Sequence, residues 1–308
     1  MKVALLCHTA SAFPLLDWLH AQGILSGIGI LEQETEFFSD LSVICQQKNI
    51  KPHVFNKPNL TRQMFHWINA LKADIVLVLT FPYKIQKEIL QLTPLGVYNI
   101  HFGKLPEYGG SFPVFWQIKN REKQGVVTVH KMDKNFDSGP IAIELPFDIK
   151  AIQNYGIVEV NYGYMAINAV FQLLDSILKK TLILKPQLHK TYKFLPKPSL
   201  KDIIINWDTM DANEIVALIK ACNPWNKGAI ARINGLDVKI IEANANTSSV
   251  GKVREVFHPY KNGLEVRCIN NTALDIKIMY SRFGYQAGEL LTSFGIKMGD
   301  FFEKIALE

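Results

Sequence analysis

Two polar side chains two residues apart, Asn99 and His101, end an otherwise apolar run that starts at Leu95. In an extended segment alternate residues point to the same side, so the amide and the imidazole stand together with Ile100 turned away. A carboxylate, Asp137, lies in an Asp-Ser-Gly turn after the strand-like GVVTVHKM, where the chain can fold back to meet them. Amide and imidazole can donate hydrogen bonds to one ligand atom, and a carboxylate beside them can take a proton or hold the imidazole in a useful protonation state. Each residue alone has an ordinary structural use, Asn and Asp as turn formers and His in packing. Their order and spacing carry the chemistry.

Elements placed at the right ends of a scaffold must position such a set. The strand-like KVALLCH, ILSGIGIL, PHVF and DIVLVLT alternate with helical patterns over Ala12 to Gln22, Phe37 to Lys48 and Thr61 to Lys72. That alternation predicts a parallel sheet covered by helices on both faces, with ligands bound beyond the carboxyl ends of the strands. Thr80 to Tyr83 and Asn99 to Gly103 fall at such ends. The loop from His101 to Pro113 is rich in glycine and proline, as active-site loops at strand ends often are. The turn after the first strand, HTASAF, lacks the glycine-rich phosphate fingerprint of a dinucleotide site. Beyond GVVTVHKM and PIAIELPFDI, a long amphipathic helix is expected from about Asn154 to Lys179, with an apolar stripe that reads as core. His8, His66 and His130 read as structural, and Phe115 and Trp116 as packing.

A lysine- and proline-rich stretch, LKPQLHKTYKFLPKPSLKD, has neither period, and a domain boundary is expected in it, between residues 1–190 and 203–308 with a linker at about 185–202. After it come a helix over Ala212 to Ala221 and several short alternating strands, the pattern of a small barrel.

NIHFGKLPEYGGSFPVFWQI followed by GVVTVHKMDKNFDSG resembles the signature of the formyltetrahydrofolate-dependent formyltransferases. INWDTMDANEIVALIKACNPWNKGAIARINGLDVKIIEA resembles the carboxyl-terminal domain of methionyl-tRNA formyltransferase and of related aminosugar formyltransferases. The resemblance implies a Rossmann-like amino-terminal domain, an OB-like carboxyl-terminal domain and 10-formyltetrahydrofolate as donor, with no metal. It implies Asn99, His101 and Asp137 as the catalytic set. It also implies that the pterin is flanked by Thr80, Phe81, Pro82, Tyr83 and Ile85 and by the loop carrying Asp133, Phe136 and Gly139, mostly through backbone groups. The chemistry agrees: formyl transfer passes through a tetrahedral oxyanion, for which Asn99 and His101 are donors, and the attacking amine must lose a proton, for which Asp137 is an acceptor.

The acceptor is read from departures. Where these enzymes commonly carry an arginine before glycine, this chain has Tyr108-Gly109-Gly110, and a lysine cannot replace a bidentate guanidinium. Where methionyl-tRNA formyltransferases tend to carry a basic insertion, this chain has the acidic LEQETEFFSD, which weakens the phosphate-neutralising contribution to RNA affinity. The sequence therefore favours a small-molecule amine such as an aminosugar nucleotide, with methionyl-tRNA second. Further alternatives are a formyltetrahydrofolate hydrolase and a non-catalytic folate or nucleic-acid binding module.

Composition bounds these readings. The chain has 308 residues, is 48% hydrophobic and 20% charged, and is long enough for two domains with cores. No apolar run approaches the ~20 residues of a membrane span, so no membrane partner is expected. Four scattered cysteines, Cys7, Cys45, Cys222 and Cys268, fit reduced thiols in a cytoplasm better than a disulfide framework or a zinc site. A net charge of +6 favours an anionic partner such as folate, a phosphorylated metabolite or RNA.

Overall fold

A computed structural model of the chain describes residues 1–32, 36–187, 194–260, 263–292 and 295–306. Part of the acidic stretch (33–35) and part of the expected linker (188–193) lie outside the described residues. The chain divides into two compact units: Met1–Pro113, Gln124–Asp148 and Glu159–Leu195 form the first, and Val114–Lys123, Ile149–Val158 and Pro196–Glu308 form the second.

In the first unit, β1 (Val3–Cys7), α1 (Phe13–Ala21), β2 (Leu25–Leu31), α2 (Glu36–Gln47), β3 (His53–Phe55), α3 (Leu60–Leu71), β4 (Ile75–Leu79), α4 (Lys87–Leu90) and β5 (Val97–His101) alternate as the hydrophobic pattern predicts. A two-residue β6 (Gly109–Gly110) and α5 (Pro113–Lys119, mostly in the second unit) follow. Then come β7 (Gln124–Lys131), β8 (Ile141–Asp148), α6 (Tyr155–Leu178) and β9 (Phe194–Leu195).

Seven strands make one sheet in the order β3-β2-β1-β4-β5-β7-β8. β1 and β4 are buried at every position, the continuous apolar runs typical of central parallel strands. The order reverses between β1 and β4, where doubly wound sheets open a crevice. From β3 to β5 neighbouring strands run parallel, whereas β7 lies antiparallel to both β5 and β8. The β-α alternation does not announce this edge. The 132–140 connection is too short to carry a crossover, so β8 can only return beside β7 in the opposite sense.

The second unit holds α7 (Leu200–Ile203), α8 (Ala212–Ala221), β10 (Ala229–Ile233), β11 (Leu236–Thr247), β12 (Val256–Tyr260), β13 (Gly263–Arg267), β14 (Thr272–Ser281) and β15 (Gly284–Ala287). The strands form a six-stranded antiparallel sheet in the order β10-β11-β14-β13-β12, with β15 on β14. A capping box starts α8: Glu214 N donates to Asp211 Oδ1 and Asp211 N to Glu214 Oε2, both at 2.9 Å. Two excursions of the chain join this unit through specific bonds. Trp116 Nε1 donates to Pro196 O at 2.9 Å and Lys119 Nζ to Asp202 O at 2.8 Å. Lys220 Nζ reaches Ala151 O at 2.6 Å. A reading by composition places one boundary where a pattern stops, and carries no sign of segments that leave and return.

β6 and β9 pair in parallel within the first unit, Gly110 opposite Leu195. Gly110 sits at φ +120, and a Cβ there would lie 2.1 Å from Leu195 O. Gly110→Ala is therefore expected to destabilise the first unit by about 1–3 kcal/mol through strain and overpacking. A calorimetric scan in which this variant unfolds at the natural temperature would contradict the close approach.

Candidate active site

The alternation of β5 is realised as the sequence predicts. Val97, Tyr98, Ile100 and His101 are buried and Asn99 half-buried, and both Asn99 and His101 reach the same carboxylate. Asn99 Nδ2 donates to Asp137 Oδ1 at 3.3 Å, and His101 Nδ1 lies 3.8 Å from that oxygen. The other ring nitrogen of His101, Nε2, stands 2.7 Å from Tyr108 O and donates to it. This bond leaves Nδ1 as the atom that faces Asp137. Asp137 Oδ2 accepts the Gly110 N–H at 2.9 Å.

Asp137 gets there by an unusual path. Because β7 is antiparallel to β5, with Lys131 opposite Tyr98, the chain leaves β7 at the amino end of β5. The turn must then bend back over Asn99. It is closed at its base by Lys131 N donating to Pro140 O at 2.9 Å, and Asp137 adopts φ +48, a left-handed conformation uncommon for a residue with a side chain. Gly139 fits because it has no Cβ, which would lie 1.8 Å from Lys131 O. From outside the turn, Gln187 Nε2 donates to Asp137 O at 2.8 Å and Gly139 O at 2.7 Å.

Burial alone would raise the Asp137 carboxyl, but His101, a hydrogen bond and charge from His130, and the Gly110 N–H more than reverse it and hold the pKa at about 2. At neutral pH the group is a carboxylate enclosed by donors.

His130 is the residue that sequence reasoning assigned to structure and the fold brings into the site. It lies directly across from Asn99 in the β5–β7 ladder, and directly opposite residues project to the same face. Its Nε2 stands 3.1 Å from Asn99 Nδ2 and 3.5 Å from Asp137 Oδ1, while its Nδ1 is buried without a partner. The ring thus exchanges one bond for another according to which nitrogen carries its proton. An imidazole in the mostly apolar GVVTVHKM was the available signal; it becomes informative once the strand is known to be antiparallel.

The residues expected to flank the pterin are placed in two loops. Thr80 follows β4 at φ +57, with Oγ1 donating to Leu79 O at 2.7 Å and lying 3.0 Å from Thr9 Oγ1. Phe81 and Tyr83 are partly buried, Pro82 is exposed, and Ile85 is buried in the same apolar cluster as Val78, Val97 and Met132. In the second loop the Asp133 carboxylate is occupied by Asn135 N at 2.9 Å and Ser138 Oγ at 2.8 Å. Phe136 is 49% exposed. Asp133 and Ile85 therefore have backbone groups, and no free polar side chain, to offer a ligand. Among the described residues, no group of His, Cys, Asp and Glu side chains is arranged to hold a metal ion.

Comparisons with known proteins bear on this arrangement. The model of a family described as formyl transferase matches residues 32–160, and that of its C-terminal domain matches 199–282. Methionyl-tRNA formyltransferase of Kosmotoga olearia is 27% identical over 244 residues, 76% of this chain and 77% of that protein. The Dictyoglomus thermophilum enzyme of the same name is 30% identical over 182 residues, 59% of this chain; there the chain spans less than two thirds, 58%, of the relative. The solved structure of WlaRD, a sugar 3N-formyl transferase, shares the fold with a TM-score of 0.67 at 18% identity, over 90% of this chain and 97% of that one. With both family domains present in order over most of its length, this chain belongs to the formyl transferase family.

Proposed function

We propose that the chain transfers the formyl group of 10-formyltetrahydrofolate to the primary amine of methionyl-tRNA. The observation that carries the reaction is the convergence of Asn99, His101, His130 and the Gly110 N–H on the Asp137 carboxylate. Partly buried Phe81 and Tyr83, packed against the same cluster as Met132, and half-exposed Phe136 supply apolar surface suited to a flat heterocycle. Donors fixed by their own packing need no reorganisation when an oxygen gains charge. His101 is fixed at Nε2 by Tyr108 O, which aims Nδ1, a donor once the ring is doubly protonated; Asn99 is aimed by the cross-strand pairing of β5 and β7.

The low pKa refines the role of Asp137. A carboxylate held at about 2 takes a proton reluctantly from an amine. It is better suited to compensating a proton that arrives on His101 or His130, whose nitrogens stand 3.8 and 3.5 Å away.

The choice of acceptor is supported by similarity to methionyl-tRNA formyltransferases that extends over most of the chain, 27% identity across 77% of the Kosmotoga enzyme. This reverses the ranking drawn from the acidic stretch, part of which lies outside the described residues. A small amine, such as that of an aminosugar nucleotide, is the second reading, supported by the fold shared with the sugar 3N-formyl transferase WlaRD. Purified protein with 10-formyltetrahydrofolate, offered initiator methionyl-tRNA and a panel of aminosugar nucleotides, decides between them. Formylmethionyl ester supports the proposal, transfer only to a sugar amine overturns the acceptor, and formate release or no turnover overturns transfer itself.

Asp137→Asn keeps the turn but loses the charge, so turnover is expected to fall roughly 10²- to 10⁴-fold while donor affinity changes little. Near-natural turnover would remove Asp137 from the mechanism. The same group makes a prediction for acid. Its folded pKa of about 2 lies below the ordinary 3.8, so its contribution, roughly 2 kcal/mol, is complete above about pH 4 and is lost as the pH falls through about 2. Denaturant titrations of the natural chain and Asp137→Asn should therefore converge between those values. A gap that stays constant would count against the depressed carboxyl.

A further inference from the structure

Gln187 lies in a stretch that reads in the sequence as linker, yet the residue is only 8% exposed and touches the site from behind. Both its amide hydrogens are spent on one turn, at 2.8 Å to Asp137 O and 2.7 Å to Gly139 O. The reverse amide orientation would set an oxygen against two carbonyls, so the donor assignment is forced by electrostatics. The main chain just before it is anchored, with Lys185 N donating to Ile141 O and Ile141 N to Lys185 O, each at 2.8 Å.

The bonds have a cost that locates their purpose. Gln187 Oε1 is buried with no partner, and a buried acceptor left unpaired loses its hydration without return. An apolar side chain of the same length would avoid that loss. What the amide secures in exchange is the conformation of Asp137, whose carbonyl points to Gln187 while its carboxylate points to Asn99 and His101. At φ +48 an aspartate relaxes towards the ordinary region unless its surroundings hold it, and relaxation would swing the carboxylate away from both side chains.

We infer that Gln187 is a positioning residue for formyl transfer: by clamping the carbonyls of Asp137 and Gly139 it fixes the catalytic carboxylate against Asn99, His101 and His130. The inference rests on the role proposed for Asp137, and its test separates the two.

Gln187→Met preserves length and burial, removes both donors and also removes the unpaired oxygen. The Asp137 and Gly139 carbonyls lose their donor in exchange, so the thermal midpoint should fall modestly while the variant stays folded. Turnover should fall roughly ten- to hundred-fold, as for a sub-ångström to one-ångström misplacement of a reacting group. In an Asp137→Asn background the same change should cost less than about two-fold, because a residue acting through Asp137 has nothing left to position. A readout independent of activity is the carboxyl carbon resonance of Asp137, whose titration midpoint should rise from about 2 towards the ordinary aspartate range when the clamp is lost. Gln187→Asn, which keeps the amide but shortens its reach, should shift it in the same direction and serves if the methionine variant fails to fold.

Natural turnover in Gln187→Met, a full additional loss in the Asp137→Asn background, or an unmoved Asp137 midpoint would each overturn the inference. If instead the natural chain formylates no acceptor, the proposed function fails, and if Asp137→Asn is fully active, the role of Asp137 fails. The Asp137 midpoint then decides alone whether Gln187 holds the turn.

Discussion

One buried carboxylate organises the first unit. Asp137 is 11% exposed and burial alone would push its pKa up, yet it is held at about 2 by the imidazoles and the backbone N–H that surround it. Removing any one of them leaves a buried negative charge less well compensated, and that penalty falls on the folded state as well as on the chemistry. The surrounding features follow from this requirement. Gly110 approaches Leu195 so that its N–H can point at Oδ2, Tyr108 turns its carbonyl to His101, and the Asp137 backbone accepts a strained φ.

The antiparallel edge of the sheet supplies the geometry. In a parallel pair β7 would enter from the same end as β5, and its following turn would leave at the far end. Running the other way, it places His130 across from Asn99 and starts the Asp137 turn beside Tyr98, within reach of the donors. The same arrangement lets Met132, at the root of that turn, pack against the buried cluster that also seats Phe81, Tyr83 and Ile85 from the loop after β4. Two loops expected to share one ligand thus share a hydrophobic footing.

Much of this was legible from residue patterns, for reasons that differ by element. Apolar runs such as IVLVL are unambiguous because a central strand is buried on both faces, and the Asn-Ile-His alternation places two side chains together by backbone geometry alone. Strand direction was not legible: GVVTVHKM has the same alternation whichever way it runs, so His130 could not be linked to Asn99. Gln187 was hidden differently. Its role depends on two carbonyls fifty and forty-eight residues earlier, and a lysine- and proline-rich neighbourhood masks a single buried amide. Asp133 illustrates the converse. It is conspicuous in the motif, but its carboxylate is consumed by local bonds to Asn135 and Ser138.

The discontinuity of the two units limits how this protein can be dissected. Between the loop that supplies Gly110 and the strand that supplies His130, the chain passes through Val114–Lys123, whose Trp116 and Lys119 bond to Pro196 and Asp202. A gene truncated after Leu195 would retain every residue that touches Asp137 and still lose those partners, leaving a fragment with a helix stripped of its seat. The boundary is therefore not severable by a single cut. A minimal catalytic fragment would need α5 redesigned or replaced by a short connection, and a chimaera that grafts a foreign carboxyl-terminal domain would have to carry α5 and Ile149–Val158 along with it.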